Sequence, residues 1–254
     1  MRGFKRFVLG LSLVCLVLAK CVPAAWAEFE DGVLPALDLT ATATTDVYNK
    51  YIWRGFTLDT DGVVQPGVSL SGYGLTLSSW SSFDVSNSDA LSSDEVDIIV
   101  DYTYEFEYAS VSAGHTTYNF PGSGLRSKEW YVGLAFPDVL LSPKITMYND
   151  YGKEENGGGD GQYLNLGVSH CMMILSAPEI SLDLAASVGF NDKLFIKGNG
   201  GDYLLSAGLA IPLTKNATLS PKLGYAVPFG DLKAAGDGNQ KARTFGGISL
   251  VVGF

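Results

Sequence analysis

Cysteine and histidine are nearly absent from this sequence, with three of the first and two of the second in 254 residues. Two of the cysteines, Cys15 and Cys21, fall within the first 27 residues. The remainder holds Cys171 alone, and one thiol makes no internal disulfide, so a disulfide scaffold is excluded. Cys171 with His115 and His170 is too small a set for a zinc cluster, and neither a metal nor an organic cofactor is expected. Past residue 27 no run of 18 apolar residues occurs, which excludes a membrane-spanning helix. Positive charge is also scarce: 17 Lys and Arg face 27 Asp and Glu, a formal charge of −10. Removing residues 1–27 takes away Arg2, Lys5, Arg6 and Lys20 and no acids, which deepens the charge to −14. That balance argues against nucleic acid or anionic lipid headgroups as electrostatic partners.

What is present begins with a secretory signal over residues 1–27. Arg2, Lys5 and Arg6 form a positive start, Phe7 to Leu18 an apolar run, and Ala25-Trp26-Ala27 a small-x-small cleavage site. The apolar run is short for a membrane span, which needs roughly 20 residues. A retained anchor and a lipoprotein cut before Cys21 are the alternatives. The domain is then expected over residues 28–254.

Along that domain apolar residues recur at every second position. In "VDIIVDYTYEFEY" (96–108) Val96, Ile98, Val100, Tyr102, Tyr104, Phe106 and Tyr108 share one face. Asp97, Ile99, Asp101, Thr103, Glu105 and Glu107 share the other, because a strand sends successive side chains to opposite sides. The same rhythm places twelve segments, at about 36–48, 63–72, 74–84, 95–108, 109–118, 128–137, 143–151, 161–172, 179–190, 201–212, 216–228 and 242–254. Their connections alternate. Long ones read "NKYIWRGFTLDTDG", "SNSDALSSD", "NFPGSGLRS", "GKEENGGGD", "NDKLFIKGNG" and "GDLKAAGDGNQK"; short ones lie at Tyr73-Gly74, Tyr108-Ala109, "PDVLLS", "MILSAP" and "TKN". An even strand number with every other connection long predicts an all-β fold, a transmembrane antiparallel barrel of about twelve strands with external loops and short periplasmic turns. A secreted sandwich also alternates, but its strands are commonly about 5–6 residues. The final strand carries Ile248, Leu250, Val252 and Phe254 on one face. A terminal aromatic on such a strand resembles the C-terminal signature of bacterial outer-membrane barrels, which the barrel assembly machinery reads. These four residues are the expected assembly signal.

Several stretches, in order, resemble one family. "YNKYIWRGFTLDTDGVVQPGVSLS" (48–71), "YNFPG" (118–122) with "KEWYVGLAF" (128–136), and "LSPKITMYNDYG" (141–152) with "GQYLNLGVSHCM" (161–172) are similar to the TorF-like group of Gram-negative outer-membrane porins. The resemblance implies an outer-membrane barrel with channel activity. It supplies no ligand or catalytic set.

The polar face is assigned to the lumen. It carries Asp38, Asp46, Asp97, Asp101, Glu105, Glu107, Glu129, Asp150 and Asp183, against Lys144, Lys222 and Arg243. Carboxylates lining a pore favour cations, so the expectation is a porin for small hydrophilic solutes with a cation preference. The alternative is a plugged structural or adhesive barrel without transport. Aromatics cluster beside the long loops (Tyr48, Tyr51, Trp53, Tyr118, Trp130, Tyr151, Tyr163, Phe190, Tyr203, Phe229) and beside the short turns (Tyr73, Tyr104, Tyr108, Phe136, Phe254), as interfacial girdles do. Sugar stacking on Trp53 is the competing role. A Ser/His hydrolase needs a nucleophile on the same face as its base. Ser169 and His170 are neighbours and face opposite ways, so no enzyme is expected. "DTDG" (59–62) starts like a calcium loop but lacks the ligands that follow. The expected partners are outer-membrane lipid, lipopolysaccharide, the assembly machinery and small solutes; the oligomeric state is left open.

Overall fold

A computed structural model describes residues 38–85, 94–234 and 236–254. The signal-sequence expectation for residues 1–27 lies outside them. The strands are β1 (Thr40–Tyr48), β2 (Tyr51–Trp53), β3 (Phe56–Asp59), β4 (Val63–Gly72), β5 (Leu75–Asp84), β6 (Glu95–Glu105), β7 (Ser110–Phe120), β8 (Leu125–Ala135), β9 (Lys144–Asp150), β10 (Gln162–Ser176), β11 (Glu179–Asp192), β12 (Asn199–Pro212), β13 (Ala217–Gly230) and β14 (Arg243–Gly253). Twelve of them, β1 and β4 to β14, form a closed antiparallel barrel in sequence order, sealed where β1 meets β14. Closure leaves no strand edge in hydrocarbon, where an unpaired backbone group costs several kcal/mol.

The alternation seen in the sequence becomes two surfaces. Val68 and Leu70 of β4, Ile98, Val100 and Tyr102 of β6, Leu205 of β12, Leu223 of β13 and Ile248 of β14 are exposed on the outside. Their parity partners, among them Ser69, Asp97, Asp101, Asp202, Lys222 and Ser249, are buried inside. An exterior of half-exposed Leu, Ile and Val gains on the order of 1 kcal/mol per side chain on leaving water for hydrocarbon. The barrel is thus of the transmembrane kind, with an apolar outside and a polar inside.

All twelve barrel strands coincide with expected segments, shifted by a few residues at their ends. Three differences have local causes. The loop expected at "NFPGSGLRS" is only residues 121–124, because β7 and β8 stay paired out to Phe120↔Leu125. Conversely, β6 stops at Glu105, where the amide of Phe106 donates to the carbonyl of Ala109 and turns the chain. Lastly, β10 runs on to Ser176, its pairing with β11 resuming after an irregularity between Met173 and Leu175. Cys171 is disulfide-bonded in this structure. The sequence reading of a lone thiol refers to a chain without residues 1–27.

The described chain starts and stops at the end of the barrel that bears the short turns. Heat-modifiable migration is the first expected outcome: folded protein should run faster than boiled protein on a detergent gel. Identical migration would contradict a closed barrel.

Candidate functional site

The lumen is built by one residue in two from each strand. On β6 the inward set is Glu95, Asp97, Ile99, Asp101 and Thr103; all five are buried. On β7 to β10 the inward positions bring in Tyr118, Glu129, Tyr131, Tyr148, Asp150 and Tyr163. The rings of Tyr131, Tyr148 and Tyr163 follow one another across three strands, with centroids 5.6 and 6.2 Å apart. Aromatics on the wall of a water-filled pore would waste their apolar surface. These have a partner, which comes from the first long loop.

That loop is not an external excursion. Residues Tyr51–Trp53 and Phe56–Asp59 pair as a small hairpin, and the hairpin lies inside the barrel. Its two-residue turn, Arg54-Gly55, has φ of 47° and 80°. Positive φ at both central positions is the hairpin turn that matches strand twist, and Gly suits it because it has no Cβ. A Cβ on Gly55 would also lie 2.7 Å from both Asp202 and Leu232. The hairpin packs on strands all round the barrel. Tyr51 meets Trp80 of β5 at 5.6 Å and Trp53 meets Tyr118 of β7 at 6.2 Å between ring centroids. Ile52 is buried with Tyr48, Val63, Ala226 and Phe245, while Phe56 is buried with Ile196 and Leu232. The last two belong to the connections 193–198 and 231–242, which fold over the same end. They are tied to it by the amide of Thr57, which donates to Gln240 Oε1 at 2.9 Å, and to each other by the amides of Lys197 and Gly198, which donate to Asp237. Between the hairpin and the wall carrying Asp46, Gln65, Trp80 and Phe245 only about 30 Å³ remains, room for about one water.

Arg54 is the centre of this arrangement. Its guanidinium donates from Nη1 to Glu129 Oε2 at 2.6 Å and from Nη2 to Glu129 Oε1 at 2.8 Å, a two-point fork. Its Cζ lies 4.5, 4.0 and 4.9 Å from the ring centroids of Trp53, Tyr148 and Tyr163. Both charged side chains are about 98 % buried or more. Burial alone would lower the Arg54 pKa; the Glu129 carboxylate beside it reverses this and holds the guanidinium above its ordinary value. The tyrosine wall is therefore a socket for a cation that the chain itself supplies.

The remaining acids divide by their partners. Asp101 accepts from the hydroxyls of Tyr131 and Thr103 at 2.5 and 2.9 Å, and Asp202 from Tyr163 at 2.8 Å. Asp150 accepts from Ser127 and from the amides of Gly152 and Gly159, so it anchors the connection 151–161. Asp46, Asp97 and Asp183 are buried, as is Lys222. Lys144 and Arg243 are half-buried at the starts of β9 and β14, on inward parity. Asp97 keeps an oxygen, Oδ1, with no hydrogen-bond partner. Asp38, Glu105 and Glu107 are exposed at the short-turn end, with Glu107 in the turn after β6. Glu105 ends β6 on the inward parity, paired with Ser110, whereas Asp38 and Glu107 lie outside the barrel strands. Ile248 and Leu250 are exposed on the outer face and Phe254 at its edge, where its amide donates to the carbonyl of Ala41 across the seam; Val252 is half-buried.

Arg54, Glu95 and Asp202 belong to the lumen although the sequence reading did not select them. Parity carries the signal for two of them: Glu95 shares it with Asp97, and Asp202 opposes Tyr203. The aromatic girdle is likewise divided. Trp130, Tyr151, Phe190 and Tyr203 are exposed outside, whereas Tyr48 and Tyr163 are buried inside. His115 faces outward and shares a 2.7 Å hydrogen bond with the Tyr151 hydroxyl, and His170 is exposed on the outer face. In the "DTDG" stretch Asp59 accepts from the amide of Asp61, a local turn. Among the described residues no three His, Cys, Asp or Glu side chains gather as a metal site.

Solved structures share this barrel. The NanC porin aligns with a TM-score of 0.50 at 12 % identity, over 84 % of this chain and 98 % of its own. The KdgM porin aligns with 0.52 at 10 % identity, over 85 % and 99 %, and KdgM in complex with disordered oligogalacturonate with 0.51 at 10 % identity over the same shares. At such identities the likeness is one of fold. No curated protein matches the chain. Residues 34–226 match the model of the Gcw_chp family, described as a bacterial protein of unknown function. That stretch is most of the chain, and the chain belongs to this family.

Proposed function

We propose that the protein is an outer-membrane channel that passes small hydrophilic solutes and favours cations. The observation that carries the reading is the buried polar surface that runs down the inside of eleven of the twelve barrel strands, all but β10, with carboxylates in excess. A sealed structural barrel of this width has no need of such a surface, and apolar side chains would fill it at lower desolvation cost. The porin fold of NanC and KdgM and the resemblance to TorF-like porins support the same reading. Cation preference follows from the acids that remain once Arg54 has neutralised Glu129. Asp97 faces the lumen with one oxygen, Oδ1, that has no hydrogen-bond partner.

Purified protein in a planar bilayer should conduct, with a zero-current potential in a KCl gradient of the sign set by potassium. Asp97→Asn with Asp101→Asn should move that potential toward the chloride side. At 4 Å one carboxylate contributes about 1 kcal/mol to a passing cation in bulk-like water and more in a narrow pore. Raising salt toward 1 M should weaken the preference, since the screening length falls to about 3 Å. Anion preference in the parent protein would overturn the charge assignment. The hairpin inside the barrel favours a second reading, a plugged structural barrel. Absence of conductance from a variant whose hairpin has been removed would establish it. Protease on whole cells should cut only at the long-connection end if the short turns are periplasmic.

A further inference from the structure

We infer that the β2–β3 hairpin is the constriction of this channel and that Arg54 is a specificity-determining residue, latched by Glu129. The inference rests on the channel reading and deepens it. Four observations converge. The hairpin touches inward residues from both sides of the barrel, Trp80 and Tyr118 on one and Asp202 and Phe245 on the other, so it crosses the bore and does not line one wall. Most of its contacts are side-chain packing, with two short strands paired only to each other, so it is a separate small unit set inside a continuous barrel. Its polar anchors on the barrel strands are the Arg54–Glu129 fork, joined by the Tyr118 hydroxyl, which donates to Glu129 at 3.0 Å, and a side-chain hydrogen bond from Tyr51 to Glu95; the fork is the one that carries a positive charge. Finally, Arg54 is the one basic residue of Tyr51–Asp59.

Two consequences follow for a passing ion. Bore depends on the latch, because without the fork the hairpin loses its two-point bond to the wall, and where Arg54 remains its buried guanidinium is left with no hydrogen-bonded carboxylate. Charge at the narrowest level depends on both members, since together they present zero to the solute and singly they present one sign. Bore and selectivity are therefore separable by substitution.

The test is single-channel conductance and zero-current potential for Arg54→Gln, Glu129→Gln, the pair together, and a variant with residues 51–59 replaced by a Gly-Ser linker of equal length. A folded barrel is verified for each by heat-modifiable migration. The expected result is a several-fold rise in conductance in all four. Cation preference should rise in Arg54→Gln, where Glu129 is freed, and fall in Glu129→Gln, where Arg54 is freed. In the double variant it should return near the parent value. Arg54→Lys, which keeps the charge and loses the fork, should raise conductance with little change in preference, and serves if Arg54→Gln does not fold. If the linker variant opens while the point variants match the parent, the latch inference is wrong and the channel reading stands. If the linker variant is also silent, both are wrong.

Discussion

Glu129→Ala should release the hairpin, and it is expected to be among the most damaging single substitutions in the barrel. Removing one member of a buried ion pair strands the other; the usual cost is about 3–5 kcal/mol. Here the stranded group is Arg54, which is charged at any accessible pH and has three rings but no other carboxylate bonded to it. Each desolvated ring contributes about 1–2 kcal/mol to a guanidinium, but rings replace neither the carboxylate's charge nor its two hydrogen bonds. The chain has a cheaper response than unfolding twelve strands. The hairpin hangs between β1 and β4 and can swing its charge into solvent while the barrel stays closed. The expected outcome is thus local: amide exchange over residues 51–59 becomes fast, a protease site opens there, and migration of the unboiled barrel is kept. Arg54→Ala should be milder, because Glu129 retains the hydrogen bond from the Tyr118 hydroxyl. The double variant should be milder than the sum of the two, a coupling of 0.5–3 kcal/mol or about that being usual for contacting groups. Unchanged exchange over the hairpin in Glu129→Ala would show that packing by Ile52, Trp53 and Phe56 holds it without the fork.

The same two residues mark the boundary of what could be read in the sequence. Barrel strands were legible because each is long and has two different solvents, hydrocarbon outside and polar lumen inside, so period two is written over ten or more residues. The strand order was legible too, since an up-and-down barrel pairs neighbours in sequence. In contrast, Tyr51–Trp53 and Phe56–Asp59 are strands of three and four residues. They are too short to express a period, and both faces of the hairpin are apolar because both pack against the inner wall. "NKYIWRGFTLDTDG" therefore reads as an ordinary loop with girdle aromatics. Arg54 and Glu129 are 75 positions apart, and no local pattern links them. One clue was available at residue level. Tyr118 and Tyr163 share parity with lumen residues, which is anomalous for an interfacial girdle and only makes sense if something apolar or cationic sits in the bore. The acids divide in the same way: Asp97 and Asp101 lie mid-strand, where alternation decides their side, Glu105 is the exposed last residue of its strand, and Glu107 lies in the turn, where alternation does not apply.

That socket makes a glycine on the wall a second sensitive point. Tyr163 is fully buried and its ring lies over Gly189 of β11, so close that a Cβ built on Gly189 would fall among the ring atoms and the hydroxyl. Glycine is here the shape that lets an inward tyrosine lie flat along the wall, reach Asp202 with its hydroxyl and offer its face to Arg54. Gly189→Val should evict the ring. Valine itself suits a strand better than glycine, so the barrel ladder is not at issue. The loss comes from Tyr163: one hydrogen bond to a charged acceptor, about 1.5–3 kcal/mol, and one of the three rings around the guanidinium, about 1–2 kcal/mol. The expected net effect is a destabilisation of about 2–4 kcal/mol, read as a lower urea midpoint for the barrel in detergent or as faster exchange over residues 51–59. Tyr163→Phe should lose only the hydrogen-bond part. Tyr163→Ala combined with Gly189→Val should be no worse than Tyr163→Ala alone, because the valine then fills part of the space the ring has left. A double variant much worse than Tyr163→Ala would mean that Gly189 is required by its own backbone, and that the socket is not what its missing side chain serves.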